Sequence, residues 1–139
     1  MQFKLKKIKG DASFREFFRL QKGKKTSIIV IAKKERYKNL IVYSLLNKFL
    51  KQKGIYTPKL ISSHFKEGIM EIEDLGHYTL FHYLKSSKNK FKLYKKCIDL
   101  LLKIQKIKPF KKIKSGSNKF LYLNNYNSAN LHKETDLFL

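Results

Sequence analysis

Apolar residues alternate with lysines where the chain begins: Phe3 and Leu5 flank Lys4, and Lys6-Lys7 precede Ile8, which predicts a short half-buried strand ending near Ile8. The small residues Gly10 to Ser13 then make a turn, and Phe14, Phe18 and Leu20 carry a second strand. A polar hairpin over Gln21 to Lys25, with Gly23 at its centre, leads to Ser27 to Ala32, a third strand rich in β-branched residues. The period then changes. Between Tyr37 and Lys53 the apolar positions Leu40, Ile41, Leu45, Leu46, Phe49 and Leu50 recur at helical spacing, and Gly54 stands where a C-terminal cap is expected. After Pro58 two short strands, Lys59 to His64 and Ile69 to Glu73, are joined by the turn Lys66-Glu67-Gly68, so the order is β-β-β-α-β-β. Beyond Gly76 the pattern is helical. Thr79 caps a short helix through Lys85, and Phe91 to Lys108 puts Tyr94, Ile98, Leu101, Ile104 and Ile107 on one face before Pro109 stops it. The Lys-rich stretch Phe110 to Lys119, with Ser115-Gly116-Ser117, reads as a mobile surface loop. A last helical fragment begins near Asn127 and runs to Asp-Leu-Phe-Leu, an apolar end that predicts a chain cut off inside an element.

Composition places these elements in one globular unit, since 139 residues with 42% hydrophobic and 14% aromatic content suffice for a core. The net charge of +22 points towards a polyanionic partner, nucleic acid or an acidic membrane surface. The kind of base points elsewhere. Of 32 basic residues only Arg15, Arg19 and Arg36 are arginine, the side chain whose planar fork dominates phosphate and base-edge recognition. The lysines are dispersed among Ile, Asn, Phe, Tyr and Leu, all amino acids with A- and T-rich codons, so codon bias accounts for the charge without a partner. Lys4 to Lys9 and Lys108 to Lys114 remain stretches that would hold phosphate non-specifically at low salt. Cys97 is the single cysteine and sits on an apolar helical face, as a core thiol does. No apolar run reaches membrane-spanning length and the basic N-terminus lacks a following apolar stretch, so a cytoplasmic protein with no membrane partner is expected.

Two segments carry candidate chemistry. Gly10 to Leu20 sets a small-residue turn between strands, where backbone N–H groups can approach an anion closely; a plain hairpin has the same pattern. Gly68 to Gly76 runs a buried-looking strand into Glu71, Glu73 and Asp74, which suit either a strand edge that meets a purine or a solvated acidic rim. His64, His77, His82 and His132 have no carboxylate or cysteine at ligand spacing, so surface or packing roles are expected for them and no metal site.

Gly10-Asp11-Ala12-Ser13-Phe14-Arg15 with Phe18-Arg19, then Glu73-Asp74-Leu75-Gly76, and Ile98-Asp99-Leu100-Leu101 with Gln105 resemble the aminoglycoside phosphotransferase family of kinase-like enzymes. Within it the likeness is to bacterial kinases of the anomeric hydroxyl of N-acetylmuramic acid or N-acetylglucosamine. The resemblance implies an α+β fold: a protein-kinase-like small lobe of five antiparallel strands and one helix over residues 1–75, then the hinge and first helices of a truncated C-terminal lobe over 76–139. It implies that Gly10, Asp11, Ala12, Ser13, Phe14 and Arg15 lie over the ATP phosphates, and that Glu73, Asp74 and Leu75 offer backbone groups to the adenine edge. The phosphate-contacting lysine is then Lys33 or Lys34. The helix that should hold its carboxylate partner contains no Asp or Glu, which leaves Glu35, just before it.

The family's catalytic Asp in a His-Gly-Asp loop, a following Asn and a Mg²⁺-holding Asp are all absent before Leu139. ATP with Mg²⁺ and an amino sugar are therefore expected of a complete enzyme, with no catalytic or metal residue in this chain, weak nucleotide binding and no catalysis by it alone. The expected fragment would also expose helix faces, including Leu137, Phe138 and Leu139. Two other functions stay open: a basic nucleic-acid-binding module, with aromatics grouped among lysines on an exposed sheet face, and a non-catalytic remnant that docks a partner.

Overall fold

A computed structural model of the chain describes residues 3–9, 15–33, 38–115, 119–122, 127–128 and 132. The chain divides into two compact units, Met1–Ile107 and Lys108–Leu139. The first is α+β and is built on strands β1 (Phe3–Ile8), β2 (Arg15–Lys22), β3 (Lys25–Ala32), β4 (Leu60–His64) and β5 (Ile69–Glu73), with helices α1 (Lys38–Gln52), α2 (Leu80–Ser86) and α3 (Lys90–Gln105). The five strands form one antiparallel sheet in the order β1-β2-β3-β5-β4.

Alternation decides which face of the sheet is dry. Ile28, Val30 and Ala32 of β3 are buried, and Ile28 and Val30 pair with Ile72 and Met70 of β5. Phe17 of β2 stands opposite Val30 and packs against the same cluster. Helix α1 completes it with Leu40, which is fully buried, while Tyr43, Leu60 and Phe65 pack around the margin. A helix on this face is also what the topology needs. β3 lies beside β5 and β4 lies at the far edge, so α1 carries the chain across before β4 begins.

The helix stops as its sequence predicts. Gly54 takes φ 72°, its N–H reaches the Lys51 carbonyl at 3.0 Å, and Ile55 N–H reaches Leu50 O at 3.0 Å, the paired bonds of a Schellman cap. Ile55 is buried beneath that cap. At the other edge, β1 faces solvent with Lys4, Lys6 and Lys7, charges that oppose pairing with a second chain. Asn89 caps α3 by accepting the Lys92 N–H at 3.0 Å, and Thr79 precedes α2, with its hydroxyl 2.8 Å from His82 Nδ1.

Three expectations need adjustment. The helix predicted over Phe91 to Lys108 ends at Gln105, where Ile107 N–H turns back to Ile104 O at 3.0 Å. In the second unit the predicted loop over Phe110 to Lys119 contains strand β6 (Lys112–Ser115), which pairs with β7 (Lys119–Tyr122) from Lys112↔Tyr122 to Ser115↔Lys119. Lysine content masked the alternating pattern of Lys112 to Ser115. Cys97, expected as a core thiol, is only half-buried.

Between β4 and β5 the chain makes a 3-10 turn, Phe65–Glu67, and Gly68 follows at φ 72°. Its carbonyl accepts the Ala32 N–H at 2.8 Å, and a Cβ at this position would lie 2.4 Å from Ala32 O. Gly23, in the β2–β3 turn, has φ 60° but open space around it. Gly23→Ala should therefore carry only the left-handed cost of about 1–2 kcal/mol, and Gly68→Ala at least about 1 kcal/mol more from overpacking. Urea unfolding of the two variants checks this; equal losses would refute the close approach.

Candidate functional site

Arg19 of β2 sits opposite Ile28, and Asp74 follows β5 two residues beyond Ile72, itself opposite Ile28. The pleat thus brings Arg19 and Asp74 to one face, 55 residues apart in sequence. They form a bidentate pair: Nε donates to Oδ2 at 2.6 Å and Nη2 to Oδ1 at 2.9 Å. Side-chain exposure is 17% for Arg19 and 3% for Asp74, so the pair is shielded from water. Planar donors matched to a carboxylate give the strongest protein ion pair.

The guanidinium also gathers the segment beyond Asp74. Nη2 donates to Gly76 O at 2.9 Å, Nη1 lies 2.7 Å from His77 Nδ1, and Gly76 N–H donates to Asp74 Oδ1 at 2.9 Å. Gly76 takes φ 95°, a conformation that lets its N–H and carbonyl serve both members of the pair. The Arg19 hydrogen bond is the main cause that lowers the Asp74 carboxyl from its ordinary 3.8 to about 2, helped by bonds from Gly76 and Thr26 against the opposing effect of burial.

The neighbouring carboxylates are also committed. Glu73 accepts the Lys59 N–H at 2.9 Å and the Tyr56 hydroxyl at 3.2 Å, and its charge pushes the Tyr56 phenol above its ordinary value. Glu71 accepts from Ser27 at 2.6 Å and from Ser62 at 3.3 Å. What these bonds leave available after β5 is backbone: Leu75 is exposed, and among the described residues no hydrogen bond engages its N–H or C=O.

The sequence-derived candidates fall unevenly. Glu73, Asp74 and Leu75 line up at the end of β5, and Arg15 opens β2 with its guanidinium 5.8 Å from the Phe17 ring centroid. Lys33 is exposed just past β3. Gly10, Asp11, Ala12, Ser13 and Phe14, together with Lys34 and Glu35, lie outside the described residues, as do Leu137, Phe138 and Leu139. Sequence reasoning missed Arg19 and His77 as parts of the post-β5 segment. The sequence gives little sign of it, because Arg19 shares its side of β2 with Arg15, Phe17 and Gln21, and only the strand register sets it opposite Ile28. A cleft of about 210 Å³ lies elsewhere, lined by Ser44, Asn47, Lys48, Lys51, Lys59 and Leu60. Among the described residues no group of three His, Cys, Asp or Glu is placed to hold a metal ion, and no helix is long and apolar enough to cross a membrane.

The chain matches no protein-family model, no curated protein and no solved structure.

A carboxyl held below its unfolded value stabilises the fold above that value and loses the contribution as pH falls through the folded one. For Asp74 this amounts to about 2 kcal/mol, present above roughly pH 4 and lost towards pH 2. Asp74→Ala should cost about 3–5 kcal/mol because it leaves Arg19 buried and uncompensated, whereas the pair Arg19→Met with Asp74→Leu should recover most of that loss. Urea unfolding between pH 2 and pH 7 reads both effects. An acid limb of the same size in Asp74→Ala as in the parent would refute the assignment.

Proposed function

We propose that the chain is the ATP-binding portion of a small-molecule phosphotransferase, an amino-sugar kinase. The observation that carries the reading is the Arg19–Asp74 pair. It joins the two segments on which the family resemblance rests, Phe18-Arg19 after the small-residue turn and Glu73-Asp74-Leu75-Gly76 after β5. The strand order β1-β2-β3-β5-β4 with α1 between β3 and β4 supports it, being compatible with a kinase small lobe.

On this reading the Gly10 to Arg15 segment lies over the phosphates and Leu75 gives its N–H and C=O to the adenine edge, while Glu73 and Asp74 act through the bonds that hold that edge in place. Lys33 or Lys34 reaches the phosphates from the end of β3, with Glu35 as its partner. ATP arrives with Mg²⁺, whose ligands are not among this chain's assigned residues, since the His-Gly-Asp loop, the following Asn and the Mg²⁺-holding Asp are missing from the sequence. Weak nucleotide binding without transfer is what this reading expects of the chain by itself, in the cytoplasm.

A second reading, a nucleic-acid-binding module, has one observation in its favour. On the outer face of β1 and β2, Lys22 Nζ lies 5.6 Å from the Phe3 ring centroid and Lys7 Nζ 5.7 Å from that of Phe18, and Phe3 is 56% exposed. Phe18 is half-buried, which leaves Phe3 as the one well-exposed ring of the two.

Calorimetric titration with ATP and Mg²⁺ separates them. Gly10→Val should weaken nucleotide binding about tenfold or more, roughly 1.4 kcal/mol, by blocking backbone approach to the phosphates. Unchanged affinity overturns the loop assignment, and single-stranded RNA binding that falls steeply with salt and is lost in Phe3→Ala would favour the second reading.

A further inference from the structure

The cleft of about 210 Å³ lies between α1 and the start of β4. Ser44, Asn47, Lys48 and Lys51 line it from the helix, where 3.6 residues per turn puts them within about 100° of arc, and Lys59 and Leu60 line it from the strand end. None of the six is acidic. Lysine is common in this chain and mostly unpaired, so three lysines by themselves decide nothing. What sets these apart is that they share a concavity with a donor that is not engaged. Among the described residues the Ser44 hydroxyl makes no hydrogen bond, and no carboxylate pairs with the ammonium of Lys48, Lys51 or Lys59. Glu73 is the one carboxylate there that bonds a lining residue, and it holds the Lys59 backbone N–H rather than the ammonium. The walls are also held at a fixed spacing. Asn47 Nδ2 donates to Pro58 O at 2.8 Å and Asn47 Oδ1 accepts the Thr57 hydroxyl at 3.0 Å, so one amide ties the helix to the segment that enters β4.

We propose that this cleft binds the phosphate group of a small phosphate monoester. Lys48, Lys51 and Lys59 bring three positive charges on flexible stems, which suit a tetrahedral dianion that needs no planar fork, and Ser44 donates its hydroxyl to one phosphate oxygen. Leu60 and the lysine methylenes give the ester's carbon an apolar wall. Size limits the ligand. The cleft is smaller than the roughly 300–1,000 Å³ of sites that enclose drug-sized molecules, so it has the space of a phosphate and a short ester body, not of a whole nucleotide. No aromatic ring lines it, and without one a nucleic-acid strand has no platform on which to stack a base. The clamp at Asn47 fixes the walls before a ligand arrives, which spares the ordering cost of binding. None of the six lining residues belongs to the nucleotide assignment, so either reading can fail without the other.

Titration with methyl phosphate at constant ionic strength, followed by amide nuclear magnetic resonance, tests it. Shifts should saturate and concentrate on residues 44–51 and 59–60. Lys48→Ala with Lys51→Ala should weaken binding about tenfold or more, whereas Lys92→Ala with Lys96→Ala, which removes the same charge from α3, should leave it unchanged. Ser44→Ala keeps every charge and should weaken binding about threefold through the lost hydrogen bond. The four lysines are exposed and Ser44 is half-buried, so each variant should melt within a few degrees of the parent. Shifts that spread over lysines throughout the chain without saturating would mean diffuse attraction of counter-ions and would overturn the proposal. Equal weakening by the two lysine pairs, or full affinity in Ser44→Ala, would do the same. Vesicles containing phosphatidic acid fix the source of the phosphate: no co-sedimentation supports a soluble ester, and co-sedimentation lost in Lys48→Ala with Lys51→Ala would overturn it in favour of a lipid headgroup.

Discussion

The Arg19–Asp74 pair is the constraint on which the first unit turns. Arg19 lies on the core side of the sheet, beside Ile28, where a solitary guanidinium would be costly to desolvate. Asp74 removes that cost, and the stray valences of both groups are spent on Gly76 and His77. The strand pair at one side of the sheet and the segment that leaves β5 are therefore one mechanical body. A sheet held only by ladder hydrogen bonds would leave residues 74–77 to follow the solvent, whereas here their path is dictated from β2.

Much of the fold was legible because its elements are written in strong local signals. The β-branched run Ser27 to Ala32, the helical recurrence from Leu40 to Leu50 and the glycines at 23, 54 and 68 each mark an element or a turn on their own. The five strands consequently lie within a residue or two of where pattern reading puts them. Strands β6 and β7 did not stand out because Lys112 and Lys114 sit among the apolar residues of that stretch, and lysine in a sequence already dense with it says little about solvent.

The candidate site was legible in one half. Glu73-Asp74-Leu75-Gly76 is visible as a motif, but the sequence leaves its carboxylates between an edge that meets a purine and a solvated rim, and does not show that Arg19 of β2 holds Asp74 or that the Lys59 N–H holds Glu73. Pairings across 14 to 55 residues are invisible to local pattern. His77 shows the same limit: nothing within ligand spacing marks it, and its neighbour comes from β2.

Strand β5 is pinned at each end by a different kind of contact. At its start, Gly68 presses its backbone against Ala32 so closely that no side chain fits between; at its end, Asp74 is locked to Arg19. A strand slipping by one residue would turn Met70 and Ile72 out of the core and Glu71 into it. Since the first anchor is steric and the second ionic, no single condition releases both. Acid that unlocks Asp74 leaves the turn at Gly68 seated, so the sheet can loosen at its polar end and close again in the same register.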